Sequence, residues 1–167
     1  RLKAYDNTVK YLNEQGIKVT MVLLNCGTGE YTKHLIHPKA VGGECPGYAL
    51  NVEEQDAVNH LKAIGAFLGQ RYSGALGHGQ IDNWILGNEI NARTSWWYTN
   101  SESLDFNVGI YAKAFRIFYN ELKGMNANVM VYNSLDQEWN RKSNPGSFLS
   151  RDYLDKFNYY MVREGNI

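Results

Sequence analysis

A chain of 167 residues with 44% hydrophobic and 20% charged residues has room for one domain with a real core, and its composition is that of a globular protein. Its 17 Lys and Arg offset 17 Asp and Glu. That balance argues against nucleic acid or an anionic membrane surface as a partner, because both are bound through excess basic side chains. No run approaches the roughly 20 apolar residues of a membrane helix; the longest near the N-terminus, Val19 to Leu24, already contains Thr20.

In chain order, Leu2, Tyr5, Val9 and Leu12 recur at helical spacing, and Gly16 is placed to stop that helix. Ile17 to Leu24 is a β-rich, nearly continuous apolar run, the pattern of a parallel strand buried on both faces. It ends at Asn25-Cys26-Gly27. A polar, glycine-containing stretch from Thr28 to about Asn51 reads as a long loop, and such loops are often functional. Asn51 is the expected N-cap of the next helix, with Glu53 and Glu54 in its first turn and Ala57, Leu61, Ile64 and Leu68 on one face.

Gly74 to Gly79 reads as a turn, and its Gly77-His78-Gly79 lacks the further glycines and the Lys-Ser/Thr of a phosphate loop. A strand over Asn83 to Asn88 follows. Val108, Tyr111, Phe115, Phe118 and Leu122 mark a third helix with Gly124 as its stop. Asn128 to Asn133 is a third strand. After the turn Asn144-Pro145-Gly146, the residues Phe148, Leu154, Phe157, Tyr160 and Met161 suggest a last helix.

Strict alternation of helix and strand means parallel β/α units, an α/β fold. The chain opens on a helix and reaches Gly165-Asn166-Ile167 where another strand is due. The expectation is a single domain over 1–167 that forms the central portion of a (β/α)8 TIM barrel, whose full length is typically about 250 residues. Further barrel strands or another chain would then be needed to cover its open edges.

In parallel units the strand ends share one face, where ligands bind. That face would carry Asn25, the pair Asn88-Glu89 that ends Trp84-Ile85-Leu86-Gly87, and Asn133 to Trp139. Tyr31, Trp96, Trp97, Tyr98 and Trp139 follow in the adjoining loops. Aromatic faces stack on the C–H faces of sugars, and Asn amides both donate to and accept from hydroxyls. A Glu at the end of an apolar strand can serve as a proton donor to a departing oxygen. It can equally cap the following turn or pair with Arg93, and residue physics alone divides these evenly. Glu138 lies on the same face, but a solvated loop acid near Arg141 is the favoured reading. No second carboxylate stands out to complete a hydrolytic pair.

His34 and His37 are three residues apart, yet no third ligand completes a metal site, so they read as surface loop histidines. No metal and no cofactor is expected. Cys26 and Cys45 fit a disulfide and free thiols equally well.

Gly87-Asn88-Glu89 after Trp84-Ile85-Leu86 resembles the fourth-strand motif of the clan A glycoside hydrolases, retaining (β/α)8 barrels. The longer run Gly87-Asn88-Glu89-Ile90-Asn91-Ala92-Arg93 with Trp96 is more similar to a bacterial group of barrel proteins labelled only as a domain of unknown function. The resemblance implies that Glu89 is the general acid/base, that Asn88 holds a sugar hydroxyl, and that the strands are about the third to fifth of the barrel. It implies a carbohydrate substrate, β-linked polysaccharide or oligosaccharide, and an extracellular or periplasmic location. The clan's nucleophile, a Glu ending the seventh strand, has no counterpart in this chain, so this stretch alone should be inactive. With Glu89 go Asn25, Asn88, Trp96, Trp97, Tyr98 and Trp139 as candidate substrate contacts. The alternatives are a non-catalytic carbohydrate-binding barrel protein and a stand-alone α/β domain with a small ligand at its strand ends.

Overall fold

A computed structural model describes residues 2–27 and 29–163, apart from the side chains of Tyr31 and Arg163. Its regular elements are α1 (Leu2–Glu14), β1 (Thr20–Leu23), α2 (Gln55–Arg71), β2 (Asn83–Leu86), α3 (Leu104–Met125), β3 (Met130–Tyr132) and α4 (Ser150–Arg163). The three strands form one parallel sheet in the order β1-β2-β3. Val22 pairs with Ile85, and Ile85 with Tyr132, in one row. The alternation expected of β/α units is therefore present. The strand that was due near the C-terminus lies outside the described residues.

Parallel neighbours in sequential order require a crossover after each strand, and right-handed crossovers put the connecting helices on the same face of the sheet. Met21, Leu23, Trp84, Leu86 and Val131 point to that side and join one core with side chains from all four helices. Trp84 is 1% exposed, and Val9, Leu61, Leu122 and Tyr153 are equally enclosed. Each such large side chain stabilises the fold by about 1.5–3 kcal/mol.

The opposite face is bare. Val22, Leu24, Met130 and Tyr132 are 41–49% exposed, and Thr20 is exposed beside them. This corrects the expectation that the Ile17–Leu24 run is buried on both faces. A continuous apolar run signals that both faces of a strand suit burial. It does not say that both are covered within the same chain.

Helix ends follow local chemistry with two departures. After α1, Gly16 adopts φ +73 and Ile17 N–H donates to Leu12 O, closing the helix as expected. Gly124 does not stop α3, which continues to Met125 before Asn126 ends it. Asn51 is not the N-cap of α2; Glu54 holds that place. Asn51 instead accepts from the amides of Glu53 and Glu54 and donates to His34 O, fixing the turn that leads into the helix. α2 and α3 pack closely through Gly65 and Gly69, where an added Cβ would come within 2.9–3.0 Å of Glu121 and Met125.

The segment expected to be a long loop is partly ordered. It contains 3-10 turns at Glu30–Leu35 and Pro38–Ala40, and its end pairs with the Trp96–Tyr98 region through a parallel bridge between Tyr48 and Tyr98.

Candidate functional site

The site is assembled where β2 runs out. Gly87 N–H donates to Leu23 O in the last cross-strand bond of the ladder. The chain then turns sharply: Gly87 has φ +77, and a Cβ there would lie 2.7 Å from Ile90 Cγ2. Only glycine fits both conditions. Glu89 itself has φ 42, a left-handed conformation that a non-glycine residue rarely adopts and that persists only where surroundings enforce it.

Those surroundings are polar bonds to the loop after β3. Ile90 N–H donates to Ser134 O at 3.0 Å, and Glu89 N–H reaches Ser134 Oγ at 3.4 Å. The buried Asn91 donates to Asp136 Oδ1 at 2.7 Å and accepts from Asp136 N–H at 2.9 Å. Its amide also donates to Phe148 O and Ser150 Oγ. Asn91 stands in the Gly87–Arg93 motif without a role that its local sequence assigns. Its signal in the sequence is an Asn between the apolar Ile90 and Ala92, legible only with its partner 45 positions away.

Glu89 and Asn88 are half-buried. Neither side chain takes a hydrogen bond or ion pair from the described residues. The alternative partner of Glu89, Arg93, pairs with Glu102 at 3.1 Å instead. A half-buried carboxylate held by its backbone and not engaged by its neighbours can exchange a proton with a bound molecule.

The other candidates divide into accessible and structural. Trp139 is 48% exposed. Trp96 and Tyr98 are half-buried, and the Tyr98 hydroxyl donates to Asn100 Oδ1. Trp97 is 2% exposed and meets Tyr111 edge-on with ring centroids 5.0 Å apart; it belongs to the core. Asn25 is half-buried, and one of its amide protons goes to Leu35 O, holding the loop after β1. Tyr31, also expected here, has its side chain outside the described residues.

Glu138 is not a solvated acid: it is 4% exposed. Its Oε1 accepts from Ser143 Oγ at 2.6 Å and Asn144 N–H at 2.8 Å, while Oε2 is enclosed without a partner among the described residues. It knits its own loop, because a carboxylate removed from water must find donors. His37 is likewise no surface residue. It is 2% exposed, accepts from Lys39 N–H and meets Phe106 edge-on; burial pushes its pKa down. His34 lies against His60 instead. Among the described residues no three His, Cys, Asp or Glu side chains are grouped to hold a metal. Cys26 and Cys45 are free, and burial pushes the Cys45 thiol up.

A cavity of about 420 Å³ opens beside this site, between the ends of β1 and β2 and helices α2 and α3. Its walls are mostly apolar, including Leu35, Leu61, Leu86, Trp97 and Phe118, with Asn25 and Cys26 at its polar side. Glu89 does not line it, so the cavity and the carboxylate are separate features.

Fold and site together define a parallel α/β protein with an unengaged Asn-Glu pair at the carboxyl end of its central strand. The chain belongs to DUF5722, a family of unknown function, whose model matches residues 1–167. Comparison with curated proteins and with solved structures finds no match. None of the described helices is long and apolar enough to cross a membrane.

Proposed function

We propose that this chain is the central arc of a (β/α)8 barrel and carries the acid/base half of a retaining glycoside hydrolase. The observation that carries the reading is the Asn88-Glu89 pair, pinned at the end of the central strand with both side chains free of partners among the described residues. Three features of the sheet support the barrel. Its strands are parallel and sequential. Its helices share one core. Its other face presents a row of apolar side chains, Val22, Ile85 and Tyr132, of the kind that fills a barrel interior.

In this reading Glu89 protonates the departing glycosidic oxygen and later takes a proton from water. Asn88 binds a hydroxyl of the sugar, and Trp96, Tyr98 and Trp139 offer ring faces to neighbouring sugar units. Trp97 supports that loop from beneath. A β-linked oligosaccharide or polysaccharide is the proposed substrate, and an extracellular or periplasmic setting accords with it. The nucleophile is a second carboxylate about 5–5.5 Å from Glu89. Glu138 is a poor candidate because it is enclosed at 4% exposure and its Oε1 is held by its own loop.

The test is Glu89→Gln in the full-length protein, assayed on a panel of β-linked oligosaccharides. Turnover should fall by about 10²–10⁴, while saccharide binding measured calorimetrically is retained. Unchanged turnover overturns the assignment. Saccharide binding with no turnover by either protein favours the second reading, a non-catalytic carbohydrate-binding barrel, which the exposed Trp139 also supports.

A further inference from the structure

We infer that Asn91 and Asp136 form a clamp that positions Glu89, and that the Asp136 carboxylate serves this clamp and not the substrate. The inference rests on the acid/base reading of Glu89 and adds to it the residues that hold that carboxylate in place.

Glu89 sits in the left-handed region at φ 42. Such a conformation relaxes unless the flanking chain is fixed on both sides. On the N-terminal side the chain is fixed by the β2 ladder through Gly87 and Leu23 O. On the C-terminal side, Ile90 and Asn91 supply the restraint. Asn91 is fully buried, and both ends of its amide face Asp136 in a reciprocal pair of bonds.

Its backbone O accepts from Phe148 N–H at 2.9 Å, so one residue ties the Glu89 turn to the loop after β3 and to the start of α4. Asp136 is half-buried and is committed through one carboxylate oxygen. Its Oδ1 accepts from Asn91 Nδ2, from Glu138 N–H and from Ser150 Oγ. The Ser150 hydroxyl shares its one proton between this oxygen and Asp136 O, so Oδ1 holds two full donors and a shared third, the pattern of a structural acceptor. Bonds to an ionised acceptor are short and strong, which suits a restraint that must hold a strained neighbour.

The experiment compares Asn91→Ala, Asp136→Asn and the exchanged pair Asn91→Asp/Asp136→Asn in the full-length protein. It reads kcat and KM on the same oligosaccharides and hydrogen exchange at the amides of Ile90 and Phe148. Asn91→Ala should lower kcat by about tenfold or more, because a small displacement of a reacting group costs that much, with KM within about threefold and faster exchange at Ile90. Asp136→Asn keeps the shape and weakens the charge-assisted bond, so a several-fold loss in kcat is expected. The exchanged pair restores an amide–carboxylate bond and should recover part of kcat.

An unchanged kcat in Asn91→Ala, or in Asp136→Asn should the first variant not fold, overturns the clamp while leaving the role of Glu89 intact. Asp136→Asn as inactive as Glu89→Gln, with normal Ile90 exchange, overturns its assignment as a positioning residue. If Glu89→Gln itself retains turnover, the acid/base reading fails, and unchanged exchange at Ile90 in Asn91→Ala then refutes the clamp as well.

Discussion

Arg93 pairs with Glu102 at 3.1 Å and leaves Glu89, four residues before it, without a cationic partner. Glu102 is 89% exposed in its side chain, and an ion pair so open to water contributes little. Glu102→Gln should therefore change stability by less than about 1 kcal/mol and leave the proposed activity unchanged. Arg93→Ala should cost more, since the guanidinium also lies over the Phe148 ring and its stem is largely covered. Urea unfolding of the two variants decides this; a larger loss from Glu102→Gln would show that the pair does more than close the loop.

The backbone of Glu89 makes a separate prediction about stability. At φ 42 a side chain is disfavoured, and glycine adopts the same conformation without strain. Glu89→Gly should raise stability by about 0.5–1 kcal/mol while abolishing the proposed activity. Glu89→Gln keeps a side chain in the same conformation and should give no such gain. A Glu89→Gly protein less stable than the parent would mean that the carboxylate contributes to the fold.

Gly47 lies where two loops cross. A Cβ there would approach Trp96 O to 2.6 Å and Trp96 Cα to 3.1 Å. Gly47 N–H donates to Ser95 O, and Tyr98 N–H donates to Gly47 O. Backbone on both sides prevents easy relief, so Gly47→Ala should destabilise by about 1–3 kcal/mol. The same shift should move Trp96 and Tyr98, read as a change in tryptophan fluorescence. A variant with unaltered stability and fluorescence would show that the crossing loops yield freely.

The Asp6 network at the opposite end of the molecule predicts a pH dependence. Asp6 receives two bonds from Arg71, at 3.0 and 2.5 Å, and one from the Tyr72 hydroxyl at 3.0 Å. The Arg71 guanidinium foremost, with help from Tyr72, holds the Asp6 carboxyl below its ordinary value, against the opposing effect of burial. A pKa lowered on folding means that the stabilisation is fully present above the unfolded value, about 3.9. It is lost as pH falls through the lower folded value. The unfolding midpoint should therefore drop as acid is added below about pH 4, and Asp6→Asn should drop less steeply over that range. Parallel curves for the two proteins would remove Asp6 from the acid transition.

The order of elements was legible in the sequence because it rests on local periodicity. The stripe Val108, Tyr111, Phe115, Phe118 and Leu122 is wholly buried along α3, and the apolar runs before Asn25 and Asn88 are strands. The position of Asn88-Glu89 at a strand end followed from the same pattern. Side-chain surroundings were not legible in this way. Trp97 and Trp96 are neighbours of similar chemistry, yet one is in the core and the other half open, because the turn after Gly87 decides which ring meets Tyr111. Glu138 and His37 have polar side chains, which a sequence places in water by default. Their donors come from within their own loops, Ser143 and Asn144 for Glu138 and Lys39 for His37, and they are enclosed because those loops fold back over them, with the distant Phe106 ring against His37.

The sequence by itself determined a parallel β/α order and a carboxylate at the end of the central strand, since both depend on residues a few positions apart. Only the tertiary structure decided that Arg93 turns away from Glu89, that Asn91 meets Asp136 across 45 residues, and that one face of the sheet is left bare. Those outcomes depend on which segments meet in space, and hydrogen bonding and burial settle them only once the chain has closed on itself.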